Sequence, residues 1–216
     1  MKYHYISGVE GSKRRNPLFV VLPVISLFAG GYLLVNTLYP SLPVDVTGQA
    51  SAVTKVLTQR QPDLSQDRLY VPKIGVDVAI VTGVDDKTLE GGAWHRVPEN
   101  GDPMSGGNFV LAAHRFNLGL TPQQTRARSP FYHIDDLNQG DEIYVDFHGV
   151  RYAYSVTKRY KVSETEVAIE SATKDARLTM YSCDLRGSKA GREVVEAKPV
   201  GTVAWLDGAP KLKQLQ

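Results

Sequence analysis

The chain has a single cysteine among its 216 residues, Cys183, so an intramolecular disulfide is excluded. It also has no block or stripe of basic residues. Its 25 Lys and Arg are interspersed with 23 Asp and Glu for a net charge of +2, and that pattern argues against nucleic-acid binding. No internal repeat or low-complexity tract is present, which excludes a solenoid or a disordered array. Charge is missing altogether from the stretch Pro17 to Tyr39.

That stretch is long enough at a helical rise to cross a hydrocarbon layer of about 30 Å. Pro23 and the Gly30-Gly31 pair do not argue against a span, because lipid tolerates helix breakers better than water does. A cleaved secretory signal is the alternative, but the run is too long and ends in Leu38-Tyr39-Pro40 rather than a small-residue cleavage site. Lys13, Arg14 and Arg15 precede it, whereas the next basic residue is Lys55. The positive-inside rule therefore expects residues 1–16 in the cytoplasm, a single-pass anchor over 17–39, and everything beyond outside the cell membrane.

Residues 40–66 carry Pro43, Gly48, Pro62 and several Ser, Thr and Gln, and read as an extracytoplasmic linker, a stalk or an N-terminal appendage. At most a short helix near Gln49 to Gln59 interrupts it. Residues 67–206 suffice for one ordinary core and form the expected exported domain. Residues 207–216 read as a short charged tail.

Short β-rich runs recur through the exported part: Arg68 to Ile74, Val76 to Val81, Asn108 to Ala113, Glu142 to His148, Val150 to Val162, Arg177 to Cys183, Glu193 to Val200 and Thr202 to Leu206. Gly149 between two of them suggests a hairpin. Helical pieces are expected at Thr88 to Gly91 and Ser129 to Leu137, and a polar loop over Arg115 to Arg128 that would act as a lid or a simple insertion. Seven or eight strands with little helix make an all-β domain, either a closed barrel or a sandwich.

A lone thiol sent into a disulfide-permissive space risks oxidation, which favours a functional reason for it over simple packing. A free cysteine titrates near about 8.5 and needs help to become a nucleophilic thiolate. A leaving amine needs an acid, and the histidines are the candidates. His4 falls on the cytoplasmic side; His95, His133 and His148 adjoin aromatic residues and read as packing or surface groups. His114 closes the apolar run Val110 to Ala113 and opens a polar loop. For an oxyanion donor the choice lies between Arg192, which opens an apolar strand, and Arg186 in the polar loop after the cysteine.

In order, LAAHR (111–115), SPFYHIDDLNQGDEIYV (129–145), LTMYSC (178–183) and REVVEAKPV (192–200) resemble the landmarks of the sortase family, membrane-anchored cysteine transpeptidases of bacterial envelopes. The likeness covers about Arg68 to Leu206. It implies a closed sortase-type β-barrel with short helices behind an N-terminal transmembrane helix. It also implies Cys183 as nucleophile, His114 as general acid and base, and Arg192 as oxyanion and substrate-orienting residue. The implied partners are surface proteins bearing an LPxTG-like sorting signal, and a peptidoglycan precursor or other amine as acceptor. Ala113 stands where many sortases have glycine, and Ser182 where many have threonine, so the subclass stays open. The absence of a second apolar span before Gln216 argues for a single-anchor class rather than the pilin class. No cofactor is expected. Some class A members bind calcium through acids before the cysteine strand, where Glu164, Glu166 and Glu170 lie, but spaced acids in a surface loop normally serve only solvation. Two alternatives remain: an L,D-transpeptidase-like cell-wall enzyme, disfavoured by spacing, and a non-catalytic envelope-binding module with Cys183 packed in its core.

Overall fold

A computed structural model describes residues 18–206 and 208–214. The chain divides into two units at Val35. The described part of the first is the body of helix α1 (Leu18–Leu38), in which Pro23 is accommodated without a break. Its apolar side chains, such as Phe19, Leu27 and Phe28, are exposed. Length and composition suit a membrane crossing, and this one N-terminal apolar helix fits a single-pass anchor. The expected cytoplasmic segment 1–16, with His4, Lys13, Arg14 and Arg15, and Pro17 at the start of the expected anchor lie outside the described residues.

The second unit is a closed β-barrel. Its strands are β1 (Arg68–Val71), β2 (Val76–Val81), β3 (Ala93–His95), β4 (Gly101–Asp102), β5 (Gly106–Ala112), β6 (Glu142–Phe147), β7 (Val150–Val162), β8 (Arg177–Asp184), β9 (Gly187–Leu206) and β10 (Ala209–Gln214). Hydrogen-bonded neighbours run β9-β7-β6-β1-β2-β3-β5-β8 and return to β9, which closes eight strands. Among the described residues the short β4 pairs only with β5, and β10 only with β9. Most pairs are antiparallel, but β2 with β3 and β5 with β8 are parallel. The β5–β8 pair matters most here, because it brings the C-terminal ends of both strands to the same rim of the barrel.

Alternation along the strands fills the interior with Leu69, Val71, Phe109, Leu111, Leu178, Met180, Val195 and Ala197, all essentially inaccessible. Each large aliphatic side chain buried this way contributes about 1.5–3 kcal/mol. The β6–β7 hairpin turns on His148 and Gly149, with φ of 48° and 78°. Two consecutive left-handed residues match the twist of the flanking strands, and histidine is among the non-glycine residues enriched there.

Residues 40–66 are not a free stalk. Helices α2 (Val44–Thr47) and α3 (Gln49–Gln59) lie against the barrel with Val44, Val53 and Leu57 buried. The approach is close: a Cβ on Gly75, at φ +66°, would sit 2.7 Å from the Cβ of Gln49 and 2.9 Å from Val44. The C-terminal turn of α3 is fastened by Arg151, whose Nη1 donates to the Leu57 carbonyl at 2.8 Å. The same guanidinium holds Asp146 through Nε and Nη2 at 2.6 and 2.8 Å, both side chains being almost wholly buried. It also lies over the rings of Tyr70 and Trp205, at 5.2 and 5.1 Å. Truncating Arg151 to alanine would leave Asp146 as an uncompensated buried charge, so the variant should lose about 3–5 kcal/mol. Urea unfolding checks this, and a loss no larger than a surface ion pair gives would show that the clamp is not structural.

Two further segments differ from their sequence reading. The expected polar loop over Arg115 to Arg128 contains helix α4 (Pro122–Ala127), capped by Thr121, whose Oγ1 accepts from the Gln124 N–H at 3.2 Å. Pro122 at the first helical position completes a start signal that sequence reasoning passed over. The expected tail pairs with β9 from Ala209 onward as β10.

Candidate active site

The site grows out of strand register. Ala112 of β5 is level with Tyr181 of β8, and the Ala113 N–H donates to the Tyr181 carbonyl at 3.3 Å. The paired register ends there, two residues before His114 on one strand and two before Cys183 on the other. On the other side of β8, the antiparallel ladder sets Cys183 directly opposite Arg192 of β9. His114, Cys183 and Arg192 thus come from the end of β5, from β8 and from β9, three neighbouring strands of the barrel. The barrel core takes Phe109, Leu111 and Ala113, Leu178 and Met180, and Val195. By alternation the other face receives Val110, Ala112, Thr179, Tyr181, Cys183, Val194 and Arg192. Cys183 is partly exposed, as a thiol that meets a substrate must be.

Arg192 is held by its own hairpin. The ladder steps from Cys183↔Arg192 to Asp184↔Gly187, which leaves residues 188–191 bulged out. Nη1 of Arg192 donates to the carbonyls of Ser188 at 2.6 Å and Gly191 at 3.1 Å. Nε and Nη2 have no acceptor among the described residues. Arg186 is otherwise occupied: Nε and Nη2 bind the Asp184 carboxylate at 3.0 and 3.2 Å, and the side chain is 75% exposed. That hydrogen bond holds the Asp184 carboxyl well below the usual carboxylate range.

His114 faces a carboxylate that sequence reasoning missed. Glu90 Oε1 lies 3.4 Å from Nε2, within ion-pair distance but outside hydrogen-bond geometry. Glu90 is fixed by Arg128 Nη2 at 2.5 Å and by Asn117 Nδ2 at 2.8 Å, and the Arg128 bond lowers its pKa. A pocket of about 310 Å³ opens beside these groups, walled by Ala79, Gly92 and Pro130. Nothing in the sequence marked Glu90, because it comes from the 3₁₀ turn Asp86–Gly91, three strands before His114.

The β7–β8 connection crosses the sheet near Tyr181. Asn108 Nδ2 donates to the carbonyls of Ile169 and Ser171, and Asn100 Nδ2 to that of Glu170 at 2.7 Å. Glu170 in turn accepts from the Tyr181 hydroxyl and from Arg96 Nε at 3.0 Å. Burial, and then this carboxylate, push the Tyr181 phenol up. Of the three acids considered for calcium, Glu170 is committed in this way and Glu166 caps the turn Val167–Glu170 through the Ala168 N–H. Among the described residues no group of three or more His, Cys, Asp or Glu is arranged to hold a metal ion.

The remaining histidines sit elsewhere. His95 is buried against Phe109 with Nε2 on the Gly101 carbonyl, and burial lowers its pKa. His133 bridges Asp136 and the Pro40 carbonyl, and His148 is in the β6–β7 turn.

The closed barrel thus carries the lone cysteine on β8, paired across the ladder with Arg192 and next to the strand that leads to His114. The model of the sortase domain matches residues 69–200, more than half of the chain, and the protein belongs to the sortase family. It is 28% identical to sortase A of Listeria monocytogenes over 134 residues, covering 62% of this chain and 56% of that protein. The crystal structure of Listeria monocytogenes sortase A superposes with a TM-score of 0.53 at 26% identity, covering 68% of this chain and 90% of that one. Sortase C-1 of Actinomyces oris gives 0.52 at 25% identity, covering 62% and 73%. The chain thus spans little more than half the length of the curated relative it matches. With the family in hand, the L,D-transpeptidase alternative has no structural support.

Proposed function

We propose that this protein is a sortase-type cysteine transpeptidase that cleaves an LPxTG-like sorting signal between Thr and Gly and joins the new carboxyl end to an amine acceptor of the cell wall. The observation carrying this reading is the pairing of Cys183 with Arg192 across the β8–β9 ladder, beside the parallel strand β5 that leads to His114. The Cys183 thiolate attacks the threonine carbonyl carbon. The free N–H groups of Arg192 receive the oxyanion, for which a guanidinium supplies a fixed charge and a planar fork of donors. His114, as imidazolium, gives its proton to the glycine nitrogen as the C–N bond breaks, leaving a thioester on Cys183. The incoming amine then attacks the thioester carbonyl, loses a proton to His114, and expels the thiolate. Nothing is oxidised or reduced, and the peptide bond lost is replaced by the one formed.

Helix α1 would hold this chemistry at the membrane, with residues 1–16 cytoplasmic and the barrel outside, where both the sorting signal and a peptidoglycan precursor are found. The test is incubation of the full chain with a library of quenched LPxTG-type peptides and an added amine, read by mass spectrometry. Cleavage before glycine with formation of the amide product is expected. Absence of cleavage across the library, with a thiol inert to a small alkylating agent in the folded protein, would favour the binding-module alternative.

A further inference from the structure

Three arginines are buried among the described residues: Arg115, Arg126 and Arg151. Arg151 has Asp146, and Arg115 has Asp135 at 2.7 Å. Arg126 has no carboxylate within ion-pair distance among the described residues. At 6% exposure, its Nη1 donates to the carbonyls of Pro40 at 3.3 Å and Leu42 at 3.0 Å, and Nη2 is buried with no acceptor. Neutral carbonyls satisfy hydrogen bonds but do not balance a charge, and a lone buried cation is costly. Burial indeed pulls the Arg126 pKa down.

Arg126 lines a cavity of about 270 Å³ between α3, β2 and the end of α4. The walls opposite are apolar, from Val53, Val56, Ile74 and Val76. The one acid on the lining, Asp77, is already paired with Arg68, and His133 is held by Asp136 and the Pro40 carbonyl. A cation without a counter-charge at the side of a greasy cleft is complementary to one kind of molecule.

We propose that this cavity is a binding site, separate from Cys183, for a small amphiphilic anion: a carboxylate or phosphate monoester received by the Arg126 guanidinium, carried on a short aliphatic body that packs on α3 and β2. The cavity shares Asp77, Val78, Ala127 and Pro130 with the pocket at His114, so the ligand would lie against that pocket's wall. The anion has two sources, a lipid of the membrane in which α1 is anchored or a soluble organic acid, and the recognition chemistry is the same for both.

The experiment titrates the full chain in phosphatidylcholine nanodiscs with hexanoate, hexyl phosphate and hexanol by calorimetry. A charge-assisted hydrogen bond to a buried guanidinium predicts that the two anions bind at least about ten-fold more tightly than hexanol. Arg126→Met should erase that preference. Because Arg126 also holds Pro40 and Leu42, a second variant is needed: Ala52→Trp, at an exposed position on α3 that lines the cavity, should abolish binding of all three probes while leaving the thermal unfolding midpoint near wild type. Repeating the titration in nanodiscs containing phosphatidylglycerol separates the sources: loss of hexanoate binding there identifies the lipid, and unchanged binding the soluble acid. Hexanol binding as tightly as hexanoate, or Ala52→Trp binding both anions as wild type does, would overturn the proposal.

Discussion

The Cys183→Ala variant is expected to lose acyl transfer by a factor on the order of 10⁴ or more, with the fold intact. Cys183 is partly exposed on the face opposite the core cluster, so removing its sulfur opens no large cavity, and the cost in stability should stay below about 1 kcal/mol. Every step of the proposed reaction passes through that sulfur, so no neighbouring group can substitute. Measured side by side, urea midpoints should coincide while product formation disappears. A variant that retains a tenth of the wild-type rate would remove Cys183 from the chemistry, and one that fails to fold would return it to the core.

Arg192→Ala should lower the rate by about 10²–10³, the usual cost of removing an oxyanion donor, whereas Arg186→Ala should stay within about two-fold of wild type. The contrast comes from register and commitment. Arg192 stands directly across the ladder from Cys183, with Nε and Nη2 unengaged among the described residues. Arg186 is a solvent-facing residue bound to Asp184. Arg192→Lys keeps the charge but not the fork, and should recover only part of the loss. The effect should fall mainly on kcat, since a donor aimed at the oxyanion acts more strongly on the transition state than on the bound substrate. A larger defect in Arg186→Ala than in Arg192→Ala would reverse the assignment.

Much of the fold is legible in the residues alone, and the reasons are local. The strands over 68–81, 108–113 and 142–162 declare themselves by alternation and by the glycines between them, and helix α3 falls where its short periodic stretch ends. Cys183, His114 and Arg192 stand out because each closes or opens an apolar strand. Other features depend on partners remote in sequence. The parallel pairing of β5 with β8, which brings the strand leading to His114 next to the strand of Cys183, joins residues about 70 apart and leaves no trace in either strand. Strand β3 has three residues, too few to show a period. Strand β9 runs unbroken from Gly187 to Leu206, although Pro199 and Gly201 suggest an interruption. There the ladder with β7 steps from Tyr154↔Pro199 to Ala153↔Gly201, a bulge at which proline's missing N–H is tolerated. The polar stretch after the membrane segment reads as a linker because only a few of its residues are apolar, yet Val44, Val53 and Leu57 suffice to dock it. Glu90 and Arg126 carry no pattern at all, since an isolated charge gains meaning only from what the fold sets beside it.

The most direct measurement is the intact mass of the full chain mixed with an LPxTG-type peptide and no added amine, followed by peptide mapping. Thiol-based acyl transfer predicts an adduct of the peptide's segment up to threonine on Cys183, released by hydroxylamine and absent from Cys183→Ala. Cleavage of the peptide with no adduct on Cys183, or an adduct at another residue, would contradict it.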